Sequence, residues 1–106
     1  MDDIVAEKRL RVRYPDGIVV PVCLRVGVPK PTRSDEAGCP VQAEGLRIWE
    51  GPKMMFGADT FQALLIAIRF VQKLLAMEVT RGAQLLHADE ETPMTVEELF
   101  VLDPPG

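Results

Sequence analysis

The side chains able to do chemistry are few. There is one His (His87), two Cys (Cys23 and Cys39), one Ser (Ser34), one Trp (Trp49) and one Tyr (Tyr14), and there is no Asn. His87 is the only conventional general base, with Asp89 and Glu90 close in sequence, and a base needs a nucleophile or an orienting carboxylate held within hydrogen-bond reach. Ser34 stands in a Pro-rich stretch without a nucleophile-elbow motif, which removes the serine-triad reading. Cys23, Cys39 and His87 are the only soft or borderline metal ligands, and none of their spacings matches a zinc site. A small enzyme or ligand-binding protein with a pocket near His87 is therefore the alternative reading. No catalytic set, cofactor or metal is expected.

Two glycine-bearing stretches, Gly51-Pro52-Lys53 and Gly57-Ala58-Asp59-Thr60, precede a helical pattern and invite a phosphate-loop reading. The spacing fails, because no Gly-Lys-Thr and no Gly-x-Gly-x-x-Gly is present, and Asp59 puts a carboxylate where a phosphate would sit. Asp59 instead reads as a helix N-cap. Gln62 follows at capping-box spacing, and Gly57 permits a tight approach before it.

Arg9, Arg11 and Arg13 alternate with Leu10, Val12 and Tyr14, as on a strand with one wet face and one buried face. If Arg25 and Arg47 join them, with Trp49 nearby, the result is a candidate interaction surface of Arg9, Arg11, Arg13, Arg47 and Trp49. Arg and Trp are the residues that protein-binding hot spots favour. RNA would also want stacking aromatics beside the arginines, and only Trp49 and Tyr14 are at hand, so nucleic acid is the weaker partner. The ordinary use of such a face is a solvated sheet exterior cross-paired with Glu7 or Glu44.

These residues need elements to hold them. A strand over 4–14, a Pro15-Asp16-Gly17 turn and a β-branched run from Ile18 to Val26 predict a hairpin. Pro21 makes the second strand an edge there or gives it a bulge. Gly27 to Gly38 shows no apolar periodicity and reads as a surface loop, and Val41 to Glu50 as a third strand bent at Gly45. From Asp59 to about Val79 the residues form one long helix. Its Phe61, Leu64, Leu65, Ile68, Val71 and Leu75 are expected to pack on the sheet. Ala63, Ile66, Phe70, Leu74 and Met77 form a second apolar stripe, leaving Gln62, Arg69 and Lys73 in a polar wedge of roughly 40°.

A helix apolar over most of its circumference is buried on more than one side. The cover is expected from the C-terminal segment, where Thr95 and Glu98 repeat the capping-box spacing ahead of Leu99 to Leu102, or from a second copy meeting a dimer face of Ile66, Phe70 and Met77. Gln84 to Ala88 could add a fourth strand. The fold class is thus α+β: an antiparallel sheet of three to four strands, one long helix across it and a short C-terminal helix or strand. Residues 1–102 are expected to form one domain and 103–106 a frayed terminus.

At 106 residues with 47% apolar side chains, the chain suits one soluble domain with a single modest core. Its net charge of −4 divides into +3 over residues 1–33 and −7 over residues 34–106, a poor balance for general nucleic-acid binding. The acidic start at Met1-Asp2-Asp3-Ile4 is unlike a secretory signal or transit peptide, and no apolar run reaches the ~20 residues that span a bilayer. A cytoplasmic protein without membrane contact is expected, with both cysteines as thiols.

Several short patterns together carry a resemblance. They are Ile4-Val5-Ala6 with Arg9 and Leu10, Val26-Gly27-x-Pro29-x-Pro31, Cys39 opening a strand toward Gly45-Leu46, and Gly57-x-Asp59-x-x-Gln62-Ala63-Leu64-x-x-Ala67. The chain resembles, over roughly residues 4–80, a family of small bacterial proteins classed only as a domain of unknown function. The resemblance departs at Pro40-Val41, where family members often carry an aromatic, and in the C-terminal part. It implies a bacterial cytoplasmic origin and strands followed by a helix, and it supplies no catalytic residues. The function expected is a non-enzymatic interaction protein, immunity-like or regulatory, that binds a protein partner or itself.

Overall fold

In a computed structural model, described here for residues 3–90 and 92–100, nine elements follow one another. They are β1 (Ile4–Arg13), β2 (Val19–Gly27), β3 (Lys30–Arg33), β4 (Glu36–Glu44), β5 (Lys53–Gly57), α1 (Thr60–Thr80), β6 (Gln84–His87), β7 (Pro93–Met94) and α2 (Val96–Phe100). The class is α+β, with an antiparallel sheet, α1 packed across it and a short C-terminal helix. The sheet has seven strands rather than three or four. The expected terminus at 103–106, together with Val101 and Leu102, lies outside the described residues.

The first hairpin forms where the alternation placed it. Leu10 pairs with Val22 and Val12 with Val20 across β1 and β2, and the Tyr14 N–H donates to the Ile18 carbonyl to close the turn. Gly17 takes the positive φ that the turn requires. On its other edge β1 pairs with β6, Leu10 against His87 and Val12 against Leu85.

The stretch from Gly27 to Gly38 is not a loop. It holds β3, and the pairing registers show why the strand is there. Cys23 to Val26 of β2 pair with Glu44 to Val41 of β4, and Lys30 and Pro31 of β3 pair with Gly38 and Ala37 of the same strand. β2 and β3 are thus two parts of one long arm along a single edge of β4, interrupted at Val28-Pro29. All four β3 residues are exposed, so no apolar alternation could announce the strand. The third strand, expected over Val41 to Glu50, runs instead over Glu36–Glu44. Ala37, Cys39, Val41 and Ala43 point inward, and Gly45 turns the chain away with φ +104°.

A short β5, absent from the sequence expectation, then covers the other edge of β4, from Lys53 opposite Val41 to Gly57 opposite Ala37. At Pro21, β2 is an edge on the β4 side, because pairing with β4 begins only at Cys23. The core lies between the sheet and α1, with Leu10, Val12, Leu24, Val41, Cys39, Leu75 and Leu85 among its members. No helix among the described residues is long and apolar enough to cross a membrane.

Candidate interaction surfaces

The N-terminus of α1 is set by a reciprocal cap. Asp59 Oδ1 accepts the Gln62 N–H at 2.8 Å, and Gln62 Oε1 accepts the Ala58 N–H at 2.6 Å. A Cβ on Gly57 would lie 2.6 Å from the Ala63 nitrogen, so the helix start sits directly on that backbone. The buried face of the helix is Ala63, Ala67, Val71, Leu74, Leu75 and Glu78.

The expected sheet-facing stripe is therefore corrected. Val71 and Leu75 do face the core and Leu64 packs against it half-buried, but Phe61 is 71% exposed, Leu65 50% and Ile68 38%. Small residues win the position nearest the sheet because they let the helix axis come close. The bulkier stripe is rotated outward, with Phe61, Leu65 and Ile68 spaced four and three residues apart on the solvent side.

The other expected face divides in a similar way. Phe70 is half-buried against Trp49, their ring centroids 6.3 Å apart, while Ile66 and Met77 on either side remain exposed. Among the described residues, α2 does not lie over this side. Leu99 and Phe100 of α2 line an apolar groove of about 390 Å³ with Ile68 and Val71 of α1 and Ala6, Leu24 and Val26 of the sheet. Thr95 Oγ1 caps α2 by accepting the Glu98 N–H at 3.1 Å.

The arginines on the outer sheet face are already engaged. Glu7 joins Arg9 at 3.2 Å and Arg25 at 3.0 Å, and Arg25 reaches on to Glu44 at 3.1 Å. The hydrogen bond from Arg25 holds the Glu7 carboxyl below its ordinary pKa, and Glu7 in turn raises that of Arg25. Arg11 donates to the carbonyl oxygens of Glu90 at 2.7 Å and His87 at 3.3 Å, which folds the segment after β6 back over the sheet. Leu86, the cross-strand neighbour of Arg11, is fully buried on this outer face. Arg13 donates to Gln84 Oε1 at 3.1 Å.

Arg47 and Trp49 do not join that face. The Arg47 guanidinium lies 4.0 Å above the Tyr14 ring and pairs with Asp16 at 2.8 Å, and its backbone N–H donates to the Tyr14 hydroxyl at 3.0 Å. The Asp16 carboxyl is held below its ordinary pKa by the Ile18 N–H first and by Arg47 second. Trp49 packs on the helix side, with the Lys53 ammonium 5.8 Å from its ring centroid. The five residues expected to share one surface thus occupy three places: the outer sheet face, the hairpin end and the helix flank.

Glu78 is a feature that sequence reasoning missed. It is a carboxylate on the buried face of α1, beside Tyr14, and its Oε2 has no hydrogen-bond partner among the described residues. Burial raises the Tyr14 pKa, and Glu78 raises it further as a hydrogen-bonding and charged neighbour. The detectable signal was its place in the Val71–Leu75–Glu78 spacing, which continues the buried stripe.

Among the described residues, catalytic groups do not converge. His87 lines none of the five main clefts, and its N–H and carbonyl are taken up by the Thr92 carbonyl and Arg11. Cys39 belongs to the core between sheet and helix, where its thiol donates to the Gly27 carbonyl at 3.3 Å. Cys23 lies on the outer face between Arg9 and Arg25, so the two thiols are not neighbours. Burial raises the pKa of both. Among the described residues no cluster of three or more His, Cys, Asp or Glu could hold a metal ion. No protein-family model, no curated protein and no solved structure matches this chain.

Proposed function

We propose that this chain is a non-enzymatic protein-interaction module, immunity-like or regulatory, that recognises its partner through the solvent side of α1. The observation that carries the reading is the Phe61–Leu65–Ile68 stripe, three large apolar side chains exposed together on a rigid helix. It adjoins the groove that Leu99 and Phe100 help to form. Contiguous exposed apolar surface is unfavourable in water and is the usual mark of a binding site.

The reading suits a cytoplasmic protein whose thiols stay reduced. Nucleic acid fits less well, because Arg9, Arg11, Arg13 and Arg47 already have partners within the chain. The test is quantitative affinity capture from the source cells with the wild type and with Phe61→Ser/Leu65→Ser. The double variant should stay folded, with a melting temperature lowered by no more than several degrees, and lose the captured partner. Capture of the same proteins by both forms, or of none by the wild type, refutes the reading.

A further inference from the structure

We infer that the solvent side of α1 is shaped for an acidic amphipathic helix, which lays apolar side chains over Phe61, Leu65 and Ile68 and sets carboxylates against Arg69 and Lys73. This rests on the interaction reading above and adds the chemistry of the partner. Past Ile68, the stripe continues through Gln72 and Ala76 to Val79, so it runs about 27 Å at 1.5 Å per residue. A straight ridge with this spacing is the natural complement of another helix.

The flank of the ridge carries the charge argument. α1 has three charged residues, Arg69, Lys73 and Glu78, and the only carboxylate among them is buried. Arg69 and Lys73 are exposed, and among the described residues neither is paired with a carboxylate. Both line a cleft of about 650 Å³ that runs beside α2 and has Glu97 on its far wall. In a chain with 16 acidic and 12 basic residues, two unpaired cations one helical turn apart beside an apolar ridge give that ridge a definite electrostatic preference.

α2 illustrates the complementary chemistry within the chain. It carries Glu97 and Glu98 in its first turn while Leu99 and Phe100 face the groove beside Ile68 and Val71. A second copy meets the ridge less well. Pairing α1 with another α1 would bring Arg69 and Lys73 against their own counterparts, with no exposed carboxylate on either helix to offset them. The net charge of −4 does not oppose an acidic helix strongly, since charges farther away than about 8 Å are screened at physiological salt.

The experiment uses two synthetic peptides of about 18 residues, matched to the ridge at 1.5 Å per residue. Both carry the same leucine stripe, flanked by Glu in one and by Lys in the other. Fluorescence anisotropy with the full chain should show the Glu peptide binding about tenfold more tightly, as two charge pairs at a half-desolvated edge would produce. Arg69→Glu/Lys73→Glu should reverse the preference. Phe61→Ser/Leu65→Ser should abolish binding of both peptides while the circular dichroism spectrum stays that of the folded chain and the melt moves by no more than several degrees.

Equal binding of the two peptides, tighter binding of the Lys peptide, or binding of neither overturns the inference. A dimer in equilibrium sedimentation that Phe61→Ser/Leu65→Ser dissociates, with the Glu peptide unbound, would assign the ridge to a second copy instead. Loss of the captured partner in Phe61→Ser/Leu65→Ser, without any peptide preference, would leave the interaction reading standing and remove the acidic helix.

Discussion

Leu65 and Leu75 form a controlled comparison, because amphipathicity assigns both to the core and the structure separates them. Leu75 is fully buried between α1 and the sheet, whereas Leu65 is half exposed on the far side of the same helix. Replacing Leu75 by Ala removes buried methyl groups from a packed site and leaves a cavity, a loss of about 3 kcal/mol within the usual range of 2–5. The same change at Leu65 forfeits about half of the roughly 2 kcal/mol that the missing groups gain when fully buried. Part of that is returned by the better helix propensity of Ala, so the net loss should be under about 1 kcal/mol.

Urea melts followed by circular dichroism read the difference directly. With an m-value of about 1–3 kcal/mol/M, Leu75→Ala should lower the midpoint by more than about 1 M and Leu65→Ala by a small fraction of that. Ala67→Leu is the converse test. Ala67 has no exposed surface, and overfilling that position should cost about 1–3 kcal/mol. Equal losses at Leu65 and Leu75, with Ala67→Leu harmless, would mean that α1 is rotated and the bulky stripe faces the sheet. Repeating the melts at two protein concentrations separates that outcome from an oligomer, since only an oligomer makes the Leu65→Ala effect depend on concentration.

The cap should behave as a unit: Asp59→Ala should cost about 1 kcal/mol, and its double-mutant cycle with Gln62→Ala should show a non-zero coupling energy in urea melts. Gly45→Ala should destabilise by about 2 kcal/mol in the same assay, because φ is +104° there and the new Cβ would be forced onto the Pro21 carbonyl oxygen. Tyr14 is the only tyrosine and its pKa is raised by burial and then by Glu78, so stability should persist up to its ordinary pKa of about 10 and fall as pH climbs beyond it. Tyrosinate absorbance follows that titration, which Glu78→Gln should move downward. Both thiols are buried with raised pKa values, so a disulfide reagent should label the native chain slowly and the urea-unfolded chain at once; rapid native labelling would refute the placement of Cys23 and Cys39.

What was legible in the sequence follows from how each element is buried. The end of β1 alternates because Leu10 and Val12 face the core and Arg11 and Arg13 do not, β2 shows as a β-branched run, and Asp59 with Gln62 marks the helix start through short-range hydrogen bonds that spacing alone encodes. β3 is an exposed arm and β5 a short edge with mostly exposed side chains, so neither shows the contrast that periodicity detects. Their places are set by backbone pairing with β4, a non-local fact. The arginine surface failed for a related reason. Arg9, Arg11 and Arg13 do share one face, but whether their charges are free depends on Glu7, the His87 and Glu90 carbonyls and Gln84, three of which come from the far end of the chain.

The misplaced helix face has a different cause, and it bears on function. Hydrophobicity sorts residues into buried and exposed only when a helix has one apolar side, and α1 has Gln62, Arg69 and Lys73 in a narrow wedge with only Gln72 and Glu78 as long polar side chains elsewhere in its body. The choice then passes from polarity to size. Gly57 already fixes it, since a Cβ there would lie 2.6 Å from the Ala63 nitrogen and the helix must begin in close contact with the β5 backbone. Only a small residue fits the next inward position, so Ala63 and Ala67 take the contact and the larger Phe61, Leu65 and Ile68 are turned outward. The exposed ridge is therefore a geometric consequence of how α1 docks, and a side chain smaller than Phe at 61 or Leu at 65 would satisfy the fold at a loss of about 1 kcal/mol or less. That the chain places large apolar groups where the fold makes only partial use of them is the reason to assign the ridge to a partner.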